Sequence, residues 1–141
     1  MVKKEKIVLT KGAKKTAIAR VRIKEGVGDV KVNGIPLSIY KPEAAKEIML
    51  EPIVIAQDIL GRNFEYGLNI SAIVKGGGTM GQAYAVRTAI GKGLVRWSDN
   101  DALKKAYLDY DRSLMINDIR VKEPKKYLRK GARAKPIKSY R

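Results

Sequence analysis

The sequence predicts one domain of mixed strands and helices carrying a basic appendage at its C-terminus. Three observations point there. Two segments alternate with period two, two others carry apolar stripes at helical spacing, and the last 22 residues have no apolar periodicity at all. Residues 1–119 are long enough for a single real core, and residues 120–141 are read as an extended segment outside it.

The first alternating segment is Lys15–Lys24, with Ala17, Ala19, Val21 and Ile23 on one face and Thr16, Ile18, Arg20, Arg22 and Lys24 on the other. A half-buried strand with a basic outer face follows. Glu25-Gly26-Val27-Gly28 reads as a turn, Asp29–Val32 as a short return strand, and Asn33-Gly34 as a second hairpin signal. Lys41-Pro42-Glu43 opens a helix, proline sitting in its first turn and the glutamate beside the positive end of the dipole. Ala44, Ala45, Ile48 and Met49 are its expected buried stripe, Pro52 an interruption or restart, and Gly61 its close.

Phe64–Lys75 alternates again and is expected to be the central strand, with Phe64, Tyr66, Leu68, Ile70, Ala72 and Val74 inward. Gly76-Gly77-Gly78 then turns the chain into a long helix, capped by Thr79 and running to about Arg96. Ala83, Val86, Ile90 and Leu94 form its packed stripe, while Gln82, Arg87 and Lys92 project elsewhere. Ser98 or Asp99 caps one more helix with Leu103, Ala106 and Tyr107 inward, followed by a polar loop and an apolar knot at Leu114-Met115-Ile116.

Charge narrows the function. The 141 residues carry 30 Lys/Arg and 14 Asp/Glu, a formal net charge of +16. Ten of the cations and one acid, Glu123, lie in residues 120–141, leaving twenty basic and thirteen acidic groups to a body that is basic in its own right. Such a balance points first to nucleic acid and second to an anionic membrane. The most apolar run, Ile48–Leu60, is broken by Glu51, Pro52 and Asp58, and the N-terminal apolar stretch is too short for a signal peptide, so a cytoplasmic protein is expected. Without cysteine or histidine, disulfides, zinc sites and Cys or His nucleophiles are excluded.

The terminal segment is too polar and too self-repelling to bury a face, and it should stay extended until it meets a polyanion. Tyr127, Tyr140, Gly131 and Pro136 stand among its cations, a mixture suited to following a nucleic-acid backbone and stacking on bases.

Gly76-Gly77-Gly78-Thr79-Met80-Gly81 satisfies G-x-G-x-x-G between a strand and a helix. The acid that should hold a ribose falls at Asp99 or Asp101, beside a helix cap, and no Gly-Lys-Ser/Thr follows, so neither a dinucleotide fold nor a P-loop is supported. The glycines Gly76, Gly77, Gly78 and Gly81 are read as a sharp turn whose exposed N–H groups can accept a phosphate. Asp99, Asn100 and Asp101 lack the glycine and terminal glutamate of a calcium loop, and Asp109 with Asp111 reads as a solvated turn. No metal site, cofactor or catalytic residue is expected. A metabolite kinase would need an acid beside the glycine turn, where Lys75, Thr79 and Gln82 stand instead; a free nucleic-acid chaperone remains the other reading of the charge.

Lys11–Ile23, Gly76–Leu94 and the ending Lys138-Ser139-Tyr140-Arg141 together resemble the small-subunit ribosomal protein S-nine family, most closely its archaeal and eukaryotic branch. The glycine turn followed by Gln82, Ala85, Ala89, Lys92 and Leu94 is the specific part of the likeness. Ala13 and Ile137 depart from the family pattern, which has Arg or Lys and Gln there. The resemblance implies an α+β domain of the kind found in the second domain of ribosomal protein S-five, with a left-handed βαβ crossover. It further implies a non-enzymatic place in the head of the small subunit, on the 3′ major domain of the small-subunit rRNA and among neighbouring head proteins, with the tail reaching the anticodon stem-loop of P-site tRNA. The expected rRNA contacts are Lys14, Lys15, Arg20, Arg22, Arg87, Lys92 and Arg96 on the body and Lys125, Lys126, Arg129, Lys130, Arg133 and Lys135 on the tail. Lys138, Tyr140 and Arg141 are expected at the tRNA.

Overall fold

A computed structural model describes residues 5–61, 67–136, 138 and 139. Five strands form one mixed sheet: β1 (Ile7–Lys14), β2 (Ala17–Glu25), β3 (Val30–Val32), β4 (Ile35–Pro36) and β5 (Leu68–Lys75), in the order β1-β2-β5-β3-β4. Three helices accompany it: α1 (Glu43–Leu60), α2 (Thr79–Ser98) and α3 (Asp101–Tyr110). The fold is α+β, as expected.

Alternation decides which face of the sheet is covered. Ala17, Ala19, Val21 and Ile23 of β2 and Leu68, Ile70, Ala72 and Val74 of β5 are all buried, while their neighbours point to the opposite, open face. α2 lies across the covered face against β1, β2 and β5, α1 packs along α2, and α3 packs on α1. Enclosed in this way, α2 buries Ala83, Val86, Ile90 and Leu94 as expected, and Ala85, Ala89, Gly91 and Gly93 besides. Small residues permit that enclosure. A Cβ on Gly12 of β1 would stand 2.1 Å from the Ala85 carbonyl oxygen and 2.6 Å from the Ala89 nitrogen, so strand and helix backbones touch there.

Several local expectations change. β1 has no apolar alternation to announce it, because its covered face is Val8, Thr10 and Gly12. The Thr10 hydroxyl takes the place of apolar packing by donating to the Ala89 carbonyl at 2.7 Å. β3 does not return along β2; it pairs in parallel with β5. The loop before it is carried across the end of β5, with Gly26 N–H donating to the Gly67 carbonyl and Val27 and Asp29 N–H both donating to Asn69 Oδ1. The hairpin at Asn33-Gly34 forms as expected, both residues at positive φ (50° and 83°), as the favoured two-residue turn requires.

α1 passes through Pro52 without a break and begins after Pro42, which occupies the cap position. Pro52 offers no N–H to the Ile48 carbonyl, but its ring is fully buried and the Tyr107 hydroxyl donates to its carbonyl at 2.6 Å. The buried stripe is Ala45, Met49, Pro52, Ile53 and Ala56; Ala44 is exposed and Ile48 half-buried. Gly61 closes the helix at φ 95° as expected. Phe64 and Tyr66 lie outside the described residues. Gly78 rather than Thr79 stands at the cap of α2, and Asn100 caps α3 by accepting from the Ala102 N–H at 2.8 Å, while Asp99 ends α2 in the left-handed region.

After a short helical turn at Arg112–Leu114, Asp118 bridges to Lys14 at the free edge of β1. Beyond it, the described residues of 119–139 hold no helix or strand and none is buried. Among the described residues no helix is long and apolar enough to cross a membrane. Cutting the chain after Glu123 should therefore leave the melting temperature almost unchanged, because the removed residues bury little apolar surface. A thermal melt that falls by more than about 5 °C, roughly 1 kcal/mol for this size, would show that the tail stabilises the body.

Candidate nucleic-acid interface

The open face of the sheet and the free edge of β1 meet in a groove of about 740 Å³. Its cations are Lys11 from β1, Arg20 and Arg22 from β2, and Lys92 and Arg96 from α2, and among the described residues no acidic side chain lines it. Strand alternation puts Arg20 and Arg22 side by side on the open face, and the pairing of β1 with β2 sets Lys11 opposite Arg20. Lys92 and Arg96 are one helical turn apart and reach over the edge of β1. Lys92 Nζ donates to Asn117 Oδ1 and to the Lys11 carbonyl (3.5 Å), and Arg96 Nη1 donates to the Leu9 carbonyl (3.4 Å). Burial, together with the nearby Arg96 charge, pulls the Lys92 ammonium below the ordinary lysine range. Lys11 was absent from the expected contacts because β1 carries no strand signature.

Four of the seven expected body cations meet here or beside it: Arg20, Arg22, Lys92 and Arg96. Lys15 is exposed in the β1–β2 turn at φ 55°. Lys14 is half-buried and engaged, with Nζ 3.3 Å from Asp118 and 5.2 Å above the Tyr84 ring. Asp118 is the root of the tail. Bonds from the Arg120 guanidinium and backbone N–H, and then from Lys14, hold its carboxyl far below the usual range.

Arg87 is a correction. It does not project to solvent; its side chain is 4% exposed and is spent inside the protein. Nε donates to Glu51 of α1, and Nη1 donates to Asp111 (2.8 Å) and Ser113 (2.9 Å) in the segment after α3. A buried guanidinium without such partners would be prohibitive, so the two carboxylates are what allow it there. Asp111, partly exposed, is thus tied into this network rather than free in a solvated turn, while Asp109 is exposed at the end of α3. Partial burial works against its charge, but bonds from the Ser113 hydroxyl and N–H and from Arg87 prevail and lower its pKa to about 2.

The glycine turn is structural at two positions. Gly76 and Gly77 have φ 78° and 68°; a Cβ on Gly76 would meet the Thr16 carbonyl of the β1–β2 turn at 2.5 Å, and one on Gly77 the side chain of Ala17, the first residue of β2, at 2.9 Å. A Cβ on Gly78 would meet open space, and one on Gly81 would make ordinary contact with the Ala17 side chain at 3.8 Å. Gln82 Nε2 ties helix to turn by donating to the Gly76 carbonyl at 3.2 Å.

On the tail, Lys125, Lys126, Lys130, Lys135 and Lys138 are exposed and Arg129 is half-buried. Arg133 is exposed but holds Glu123, the tail's one acid, through two bonds of 2.9 and 2.6 Å. Tyr140 and Arg141, and with them Ile137, lie outside the described residues.

A basic groove, an exposed basic tail and an arginine spent on packing define a small α+β module with strongly cationic surfaces. The comparisons with known proteins make that particular. A family model for ribosomal protein S9/S16 matches residues 12–141. The chain is 46% identical over 136 residues to the small ribosomal subunit protein uS9 of Methanothrix thermoacetophila, covering 96% of this chain and 99% of that protein. It is 43% identical over 134 residues to the small ribosomal subunit protein uS9 of Thermoplasma volcanium, covering 95% and 98%. The chain belongs to the ribosomal protein S9/S16 family, whose members are structural and non-enzymatic.

Two outcomes follow from the geometry. Gly76→Ala should cost about 2 kcal/mol or more, since it adds left-handed strain to a collision with the Thr16 carbonyl, whereas Gly78→Ala should stay within about 1 kcal/mol; urea titrations of the two variants would compare them. The Asp111 carboxyl, lowered from 3.8 to about 2 on folding, contributes stability that is full above pH about 4 and is lost as pH falls towards 2. Its partial exposure limits the contribution to about 1 kcal/mol. Asp111→Asn should remove that part of the acid dependence, read as a flatter melting temperature between pH 4 and 2.

Proposed function

We propose that this chain serves translation as a structural constituent of the small ribosomal subunit in the cytoplasm, held in the head on the 3′ major domain of the small-subunit rRNA. The observation that carries the reading is the extent of the family match, which runs from β1 to residue 141 and so includes the whole tail. Near-complete coverage of two small-subunit proteins supports the same place.

In this reading Lys15, Arg20, Arg22, Lys92 and Arg96 meet rRNA phosphates from the body, and Lys125, Lys126, Arg129, Lys130, Arg133 and Lys135 do so from the tail. Contacts of this kind position a protein without reading sequence. Lys14 contributes field rather than a direct contact, because Asp118 holds it. Arg133 has to release Glu123 to reach a phosphate, an exchange favoured by the density of RNA charge. Neighbouring head proteins complete the surroundings. The fold belongs, in the same reading, with the second domain of ribosomal protein S-five, and the connection from β3 through α1 to β5 is its left-handed crossover. Parallel pairing of β3 with β5 across that helix supports the crossover itself.

The end of the tail is assigned to the anticodon stem-loop of P-site tRNA, through Lys138, Tyr140 and Arg141. An arginine fork can bridge two phosphate oxygens, which a lysine cannot. Deleting residues 139–141 should leave incorporation into small subunits intact, since nine of the ten tail cations remain. P-site tRNA should bind more weakly by roughly 1–3 kcal/mol. Filter binding at matched salt and magnesium that shows equal affinity in intact and shortened subunits would defeat the tRNA contact. Weakened assembly with normal tRNA binding would move Arg141 to rRNA.

A further inference from the structure

We infer that the groove between the open sheet face and the margin of α2 seats the phosphodiester backbone of double-stranded RNA, recognised by shape and charge and not by base identity. The inference rests on the proposed function and adds which surface of the body meets which form of RNA.

Like charges stand here where elementary rules penalise them. Lys11 is directly opposite Arg20 on paired strands, Arg20 and Arg22 share one face, and Lys92 and Arg96 are four residues apart on one helix. None of the five joins an ion pair among the described residues, although elsewhere Arg87, Arg120 and Arg133 each hold a carboxylate. Lys92 and Arg96 find only neutral acceptors, Asn117 Oδ1 and the Lys11 and Leu9 carbonyls, and no carboxylate of the described residues balances the five charges, so an external polyanion is the complement that the groove lacks.

The form of that polyanion follows from the rest of the lining. Among the described residues no aromatic side chain lines the groove, so unstacked bases find nothing there to lie on, in contrast to the tail, where Tyr127 is 89% exposed. What stands beside the arginines is aliphatic: Leu9 is paired with Arg22 and Ile73 with Arg20, at 68% and 59% exposure. Flat apolar contact flanked by cations, with the Ser71 hydroxyl paired opposite Arg22, suits ribose edges, 2′-hydroxyls and phosphates along a duplex. The cations stand on two strands and a helix packed on one core, which gives a rigid seat for a regular helix; the tail, whose described residues form no helix or strand, can follow a single strand.

The full chain, Arg20→Gln/Arg22→Gln and, as a surface control on α3, Lys104→Gln/Lys105→Gln are titrated against four probes: a mixed-sequence RNA duplex of about 20 base pairs, a duplex of the same composition with its sequence scrambled, one strand of the first duplex alone, and the DNA duplex of the same sequence. All four side chains are exposed and the groove variant only relieves like-charge repulsion, so neither variant should melt below the parent. For the RNA duplex the groove variant should lose about tenfold in affinity or more. Its plot of log affinity against log salt should flatten by about 2, one unit for each phosphate contact removed. The single strand should respond much less, a scrambled RNA duplex should bind like the original, and the control should match the parent. An unchanged slope in the groove variant, or a DNA duplex bound as tightly as the RNA duplex, would overturn the inference while leaving the ribosomal role standing. Failure of the parent chain to enter small subunits would overturn the ribosomal role instead.

Discussion

The close approach of α2 to the sheet is the constraint on which the rest of the structure depends. Gly12 brings the β1 backbone against Ala85 and Ala89, Gly93 leaves room for the Ile23 side chain, and Gly91 lies 3.2 Å from the Leu114 carbonyl if given a Cβ. Interiors are packed to crystal density, so a helix seated this tightly has one depth and one rotation. That rotation is what hangs Lys92 and Arg96 over the free edge of β1 while the same helix buries Val86, Ile90 and Leu94. The basic groove is therefore a by-product of core packing, and its geometry is as rigid as the core.

Arg87 shows how the same helix treats a cation that faces the other way. On its inner flank, between α1 and the segment after α3, a guanidinium is admitted because Glu51, Asp111 and Ser113 satisfy it. The network joins three parts of the chain distant in sequence, and it orients the turn at Arg112–Leu114 whose end delivers Asp118 to Lys14. The tail thus leaves the body at one place, beside the β1–β2 turn and next to the groove. A basic surface built on strands and a helix and a basic segment whose described residues form neither are thereby set side by side.

Much of this was legible in the sequence. Period-two alternation in β2 and β5, helical spacing in α2, and turn chemistry at Asn33-Gly34 and Gly61 are local signals, because burial on one face and the φ of a turn are decided within a few residues. The absence of cysteine and histidine, the excess of lysine and arginine, and a tail unable to bury a face bounded the function before any coordinate was known. The likeness carried by Lys11–Ile23, Gly76–Leu94 and the terminal residues went further and named the family to which the full-length comparisons assign the chain.

Tertiary structure decided the rest. β1 was silent because its covered face is a valine, a threonine and a glycine, chosen for fit against α2 rather than for hydrophobicity. β3 took β5 as its partner because Asn69 draws the preceding loop across the sheet, a contact forty residues away in sequence that no local pattern records. Pro52 stayed within α1 because packing and the Tyr107 hydroxyl outweigh one missing backbone bond. Arg87 and Arg20 are the same residue type with the same intrinsic charge; whether each is a core ion pair or a surface cation depends on which carboxylates the fold brings near it. Charge and periodicity belong to the chain, whereas burial and partnership exist only once distant segments meet.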